Sequence, residues 1–508
     1  MRFDIQLRFE LGTALPSEAV KDVELFLEEA NQGIMKRGSP EGKESEASEI
    51  KEWNIEGLTL KIHISSGRYV RAHHAVKRLR NFLSEKIGRK YKTGIRGVSI
   101  DRLSIECELE ETPEKELKIP FVTSLQVKGK TAYLELRDVK EELLESGIDK
   151  MIDLLDEKVK KQKYGGKAEH WELIWQSSQL EPVWSKDPTP DMIKRGWVTR
   201  YLPGIWYHSF TSTKIMRTIE EICQKELLEP LQFQEIMLPK VTPFNIWLKT
   251  GHMPGSAPSI FYMSQPKTWD PDQWEDFSDY IKITGEIPVE LLKEKLKDPF
   301  GGACYAQCPP LYSLFDRQLL SEEDMPLKFF DRSGTSYRYE AGGLHGIERD
   351  TEFHRIEIVW FGTKDHALQV KEQILERYRH IFNEILELEW RMAWVTPWYM
   401  AQTGETGVET VKEKGTIDFE GWLPWRGSRS ESEWLEFQNL TVAGTKFSDA
   451  FKFRIRPDKE VWTGCSGIGL ERWMSVFLSQ KGLDPQHWPK AFKERLGELP
   501  KEPKTLKL

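Results

Sequence analysis

Ser336–Trp360 reads SYRYEAGGLHGIERDTEFHRIEIVW. A short hydrophobic run closes on Arg338 and Glu340, a loop of glycines and charges follows, and from Phe353 polar and apolar residues alternate. Alternation with a period of two marks a strand whose two faces meet different surroundings. Two such runs around a polar loop predict a β-hairpin, with Arg349 in the loop and a carboxylate, Glu357, on the return strand. Further along, residues 464–473 read GCSGIGLERW, which predicts a strand, a glycine-rich turn and a helix carrying Arg472. Upstream, EPLQFQEIMLP ends at Pro239.

In this order the hairpin resembles motif 2 of the class II aminoacyl-tRNA synthetases, residues 464–473 resemble motif 3, and the segment closing at Pro239 resembles motif 1. The details are similar to the seryl enzymes of the methanogenic, zinc-dependent type, over essentially the whole chain. The resemblance implies an α+β fold: an antiparallel class II sheet flanked by helices, and an N-terminal tRNA-binding domain of antiparallel sheet plus helices. That domain takes the place of the long coiled coil of ordinary seryl enzymes, and no sustained heptad repeat is present. The expected division is 1–165 for the tRNA-binding domain, 166–190 for a linker with little regular structure, and 191–508 for the catalytic domain. A polar helical insertion is expected at about 267–299. The implied reaction joins L-serine to ATP as seryl-adenylate, then to the 3′ end of tRNA(Ser). Motif 1 implies a homodimer.

Composition agrees with a large globular protein. The 508 residues are 30% charged and 39% hydrophobic, enough for two or three domains. MRFDIQLRFELG alternates like a half-buried strand and lacks the basic and apolar regions of a signal peptide. No apolar run approaches the roughly 18 residues of a membrane span. The 5 cysteines are too few and too odd in number for a disulfide framework, so a cytoplasmic, reducing setting is expected. The net charge of −8 conceals a local excess: from Arg68 to Arg96 there are ten basic residues against one acid, Glu85. Such a patch attracts phosphates despite an acidic whole. Within it the resemblance implies tRNA contacts for Arg71, Arg78, Arg80 and Arg96, with Arg71 and Arg78 expected on one helical face.

Forming an adenylate needs charge neutralised on three phosphates and the attack aligned, so positioning and electrostatics carry the rate. A planar guanidinium suits the α-phosphate because it makes two parallel hydrogen bonds. By the resemblance Arg338 takes that role and Glu340 orders the hairpin and the nucleotide. Phe353 and Arg472 would cover the two adenine faces, and Arg349 would reach the distal phosphates. Glu436 and Asn439 would serve the nucleotide's magnesium, which prefers hard oxygen ligands. The pair Cys304 and Cys308 has no second pair nearby, so a closed zinc finger is not expected. The family's zinc ligands fall on Cys308, Glu357 and Cys465, an open set able to take the serine amino group. Cys304, Cys107 and Cys223 are expected as buried thiols. Residues 395–407, VTPWYMAQTGETG, resemble the serine-ordering loop, with Trp398 and Gln402 in the pocket beside Asn439 and Thr441. Thr441 stands where the family pattern has serine. Three other readings compete: a relative that loads a carrier protein, a non-catalytic RNA-binding paralogue, and a threonine-specific enzyme. The basic N-terminal domain opposes the first, and the intact Arg338, Glu436 and Arg472 oppose the second. The Cys-Glu-Cys set opposes the third.

Overall fold

The computed structural model describes residues 1–163, 171–339, 343–395, 413–432 and 434–503. The chain forms two compact units, Met1–Lys167 and Ala168–Leu508.

In the first unit six strands form one antiparallel sheet: β1 (Arg2–Leu11), β2 (Glu49–Glu56), β3 (Thr59–Ser66), β4 (Ile95–Glu108), β5 (Ser124–Lys128) and β6 (Thr131–Val139). Their order is β2-β3-β1-β4-β6-β5. The alternation noted in the N-terminal sequence is literal here: Phe3, Ile5, Leu7, Phe9 and Leu11 are buried on one face. Against that face pack α1 (Ala19–Gln32), α2 (Ala72–Tyr91) and α3 (Glu142–Lys163). The stripe of α2 is Val76, Leu79, Leu83 and Ile87, spaced three and four apart. Each such side chain contributes about 1.5–3 kcal/mol of burial. Two details depart from the sequence reading. The period of Val20, Val23, Leu27, Ala30 and Ile34 predicts one buried stripe on α1, yet Val20 is exposed; and residues 119–137, whose sequence predicts strand, hold two strands turning at Gly129, whose φ is +61°.

The basic run behaves differently from its linear count. Acids from α1 and α3 face α2: Arg71 pairs with Asp149, Lys77 with Glu145, Arg80 with Glu141 at 2.5 Å, Lys86 with Glu29 at 2.7 Å and Lys90 with Asp22. Arg71 precedes the helix and turns towards α3, whereas Arg78 donates to the Arg37 carbonyl at 2.7 Å beyond α1. The two arginines therefore do not share the face that a spacing of seven suggests. Arg96 is exposed at the start of β4.

The second unit is built on a nine-stranded sheet. Its strands are β7 (Trp171–Gln176), β8 (Gln234–Glu235), β9 (Leu327–Asp331), β10 (Thr335–Tyr337), β11 (Glu352–Gly362), β12 (Trp390–Val395), β13 (Gly415–Gly421), β14 (Leu435–Gly444) and β15 (Trp462–Gly469). They lie in the order β8-β9-β11-β15-β14-β13-β12-β7, with β10 also on β11. All pairs are antiparallel except β8 with β9. Strand β7 lies in the segment expected to be an irregular linker. It pairs with β12 through Trp171, Leu173 and Trp175, so this stretch is part of the sheet.

One sheet face packs on the helices Phe210–Cys223, Lys364–His380 and Leu470–Lys481. The stripe Val370, Ile374, Tyr378, Ile381, Ile385 and Leu388 is buried as its periodicity predicts. That period, carried through to Leu388, predicts one helix over about 364–391, and the helix is shorter. It closes in a π-helical turn, Ile381–Ile385, and Glu387 takes a left-handed φ of +50° before β12 starts. The insertion holds two helices, Glu275–Thr284 and Val289–Lys295, neither burying a side chain. The tail LPKEPKTLKL reads as frayed or loosely docked, yet at Glu502 the carboxylate accepts from the Thr211 amide at 2.7 Å and from Ser209 Oγ. It thereby satisfies the start of the Phe210–Cys223 helix. Among the described residues no helix is long and apolar enough to cross a membrane.

At Gly464 a Cβ would lie 2.2 Å from the ring of Trp360, which is fully buried and donates its indole N–H to the Ala367 carbonyl at 3.0 Å. Gly464→Ala is expected to cost about 1–3 kcal/mol of unfolding free energy, as overpacked cores do, measured by urea denaturation.

Candidate active site

Strand β11 organises the site because the strand period divides its residues between two faces. Ile356, Ile358 and Trp360 enter the helix-backed core, while Val359 and Phe361 belong to the cluster that includes Cys308 and Cys465. Phe353, Arg355 and Glu357 therefore project from the face opposite the helices. The hairpin is present as expected: Thr335, Ser336 and Tyr337 face His354, Phe353 and Glu352. On the other side Arg355, Glu357 and Val359 lie opposite Gly469, Gly467 and Cys465.

One cleft on this face is lined by Arg338, Phe353, Glu436, Asn439 and Arg472, five of the residues singled out as nucleotide-binding. Its lining also includes Arg355, Glu348, Asp350 and Glu471, along with Gly467 and Gly469. Arg472 is fixed from two sides: Nε donates to the Glu348 carbonyl at 3.2 Å, and Nη1 to the Glu436 carbonyl at 2.8 Å and to Glu436 Oε2 at 2.9 Å. Arg349 lies on the turn that returns to His345 and is not among the described residues lining the cleft. Glu340, Trp398 and Gln402 lie outside the described residues.

Glu436 and Asn439 share the cleft although residues three apart on a regular strand point to opposite faces. A bulge resolves the parity. Phe419 is opposite Gln438 and Glu420 opposite Glu436, which leaves Phe437 as the extra residue. Phe437 and Gln438 both turn to the helix side. Phe437 packs 4.9 Å from the Phe382 ring centroid, and Gln438 Nε2 donates to Tyr378 Oη and Ser466 Oγ at 2.9 and 2.6 Å. Asn439 Nδ2 reaches Glu436 Oε1 at 3.5 Å.

Cys308, Glu357 and Cys465 converge as a second group, with one donor atom from each within 4.8 Å of the others, all buried. Cys308 opens the helix Cys308–Leu314, and Cys465 is opposite both Val359 and Thr441. Arg355 Nη2 lies 2.6 Å from Glu357 Oε2, yet neither carboxylate oxygen accepts a well-directed hydrogen bond. Its hydrogen bond to Cys465, burial and the nearby Glu357 push the Cys308 thiol well above its ordinary range. Burial likewise lifts the Glu357 carboxyl to about 7, against the pull of Arg355. Two soft sulfurs and one oxygen, buried and poorly satisfied, are a donor set suited to zinc, and three protein ligands leave room for a fourth. Cys304, Cys107 and Cys223 are buried, as expected, and none of them is a member of this group. Thr441 is buried and bonded to Thr416 Oγ1 at 2.7 Å, so its methyl is held within the sheet.

Behind the cleft stand charges that sequence reading passed over. Glu348 is buried between Arg426 Nη2, at 3.0 Å, and His345 Nδ1, at 2.5 Å. Buried Glu471 accepts from the His354 amide at 3.0 and 2.9 Å and meets its ring Nδ1 at 2.6 Å. The signal for Glu471 was at hand in the Glu-Arg pair of GLERW. Burial first, then Glu471 and Glu348, pushes Asp350 well above the usual carboxylate range.

The hydrogen bond to Glu471 raises the His354 pKa, opposed by burial; Arg217 and Glu352 also act on it, and His208 lies 3.9 Å from Glu471. A histidine raised on folding contributes its stability fully below its ordinary value and loses it as pH rises through the folded one. Glu471→Gln is therefore expected to cost about 1.5–3 kcal/mol in mildly acidic buffer and progressively less in alkaline buffer. Unfolding curves of both chains across that range check it; a pH-independent difference would remove the charge interaction.

Comparison with known proteins gives the following. A family model described as a tRNA-binding domain matches residues 1–157, and one described as the tRNA synthetase class II core domain (G, H, P, S and T) matches residues 306–481. The type-2 serine–tRNA ligase of Methanococcoides burtonii is 45% identical over 502 residues, covering 99% of both chains. That of Methanothrix thermoacetophila is 46% identical over 509 residues, again covering 99% of both. Among solved structures, the M. kandleri SerRS crystallised with A. aeolicus tRNASec superposes with a TM-score of 0.84 at 29% identity, over 99% of each chain.

Proposed function

The chain belongs to the type-2 serine–tRNA ligases, class II synthetases that join serine to tRNA, and we propose that the cleft on β11, β14 and β15 is where this chain does so. The observation that carries this reading is the convergence of Arg338, Phe353, Glu436, Asn439 and Arg472 on one cleft beside the Cys308–Glu357–Cys465 group.

In the first step a serine carboxylate oxygen attacks the α-phosphorus of ATP, and the bond to pyrophosphate breaks. Arg338 holds the α-phosphate, where a bidentate donor matches the developing charge. Phe353 and Arg472 hold the adenine, and the three hydrogen bonds that fix Arg472 keep its plane in place beforehand. Glu436 and Asn439 provide oxygen ligands for the magnesium that accompanies ATP. In the second step a terminal ribose hydroxyl of tRNA attacks the seryl carbonyl and AMP leaves. Cys308, Glu357 and Cys465 would hold zinc, which when bound would offer a Lewis-acid position for the serine amine. Arg355 orients Glu357 from the neighbouring strand position. Glu340 orders the hairpin, Arg349 meets the distal phosphates, and Trp398, Gln402 and Thr441 complete the serine pocket in the same reading. The N-terminal unit, with Arg71, Arg78, Arg80 and Arg96, takes tRNA(Ser). The two-residue edge strand β8, followed by exposed Met237, supports a homodimer through that edge.

Transfer of labelled serine, beside threonine and alanine, to total tRNA tests the whole reading. Serine-specific charging that a chelator abolishes is expected; adenylate formation without charging would favour the carrier-protein reading. Cys465→Ser and Glu357→Gln are each expected to lower both bound zinc and serine-dependent ATP–pyrophosphate exchange, the latter by at least about 100-fold. Arg472→Lys is expected to lower exchange about 10²–10³-fold with zinc content unchanged, since it removes planar donors only from the nucleotide side.

A further inference from the structure

We propose that the first unit carries a divalent-metal site of its own, formed by His73 and His74 at the start of α2 and Asp149 on α3. One donor atom from each lies within 4.8 Å of the others. His73 Nε2 is 3.2 Å from Asp149 Oδ1, and His74 Nε2 is 2.9 Å from Asp149 Oδ2. Ligands about 2.0–2.2 Å from a tetrahedral ion stand about 3.3 Å apart, a separation that each histidine already approaches to one oxygen of Asp149, and the three donors lie within 4.8 Å of one another.

The state of His73 points to a ligand. Its side chain is completely buried, and neither ring nitrogen makes a hydrogen bond. A buried N–H without an acceptor costs about 1–3 kcal/mol, which a metal on the opposite nitrogen would offset by replacing a poor contact with a bond. His74 is more than a third exposed and Asp149 is partly exposed, so the site opens on one side. That side is a groove between α2 and α3 whose rim holds Glu141, Glu142 and Glu145, of which Glu145 pairs with Lys77 and Glu141 with Arg80. Arg71 pairs with Asp149 Oδ1 and leaves Oδ2 to an ion, the usual arrangement in which an outer partner orients a ligating carboxylate. Two imidazoles and one carboxylate suit zinc, cobalt or iron in the divalent state rather than magnesium or calcium. The ion would clamp the start of α2 to α3, independently of the thiol-containing group in the second unit.

Equilibrium dialysis of the full chain against cobalt(II) at micromolar free metal tests the proposal. The wild-type chain is expected to bind one more equivalent than His74→Gln, and that equivalent contributes visible bands without sulfur-to-cobalt charge transfer. An unchanged far-ultraviolet circular dichroism spectrum and urea unfolding curve show that His74→Gln is folded, and the charge-transfer band of the thiol group persists in it. Asp149→Asn should lose the same equivalent. Equal stoichiometry in wild type and His74→Gln, with no loss of the thiol-free bands, would overturn the site.

Discussion

The site depends on two side chains that strand β15 does not have. At Gly464 a Cβ would enter the ring of Trp360, and at Gly467 it would lie 1.9 Å from Arg355 Nη2. These two large residues of β11 lie flat against their neighbour, one on each face of the sheet. On the helix side Trp360 ties the sheet to the helix Lys364–His380. On the cleft side Arg355 spans from Glu357 to the Tyr305 carbonyl at 3.2 Å. With both in place the register of β11 against β15 is fixed, and that register alone brings Cys465 beside Glu357. A slip of one residue would reverse every face.

Much of this could be read from the chain. The alternation after Phe353, the glycine-rich turn before Leu470 and the period of the helix starting at Lys364 are local patterns, and each became the expected element. Five of the seven residues expected at the nucleotide line one cleft, Arg349 does not and Glu340 lies outside the described residues; the Cys-Glu-Cys group also came together, because motif order encodes which strands are neighbours. What escaped was decided across space. Strand β7 sits in a stretch whose local signals say loop, yet it is held by pairing with β12. Glu348 and Glu471 look like ordinary surface acids in a charged segment, and only burial against Arg426 and His354 separates them from the others. The helix starting at Lys364 ended early because a left-handed residue, Glu387, turned the chain into the sheet; its buried Leu388 had made the stripe look longer.

The N-terminal basic run shows the same limit for charge. Counted along the chain it is almost free of acids, but α1, α3 and the residue before α3 supply one for five of its ten lysines and arginines. Surface pairs of this kind add little stability, typically below about 1 kcal/mol each. Their effect lies in the field: they reduce the reach of the patch and leave a narrower set of cations facing outward. Attraction of a polyanion then depends on which pairs open when phosphates arrive, a competition that salt weakens on both sides.

The bulge at Phe437 splits β14 into two segments that keep opposite conventions of inside and outside. Up to Glu436 the even positions face the cleft; from Gln438 onward the odd ones do. Strand length is thus a piece of inherited information separate from residue identity. A chain lacking one residue there would have nearly the same composition and the same motifs, yet would present the wrong half of the strand to its substrates. The number of residues in this segment therefore matters to the cleft as much as their chemistry.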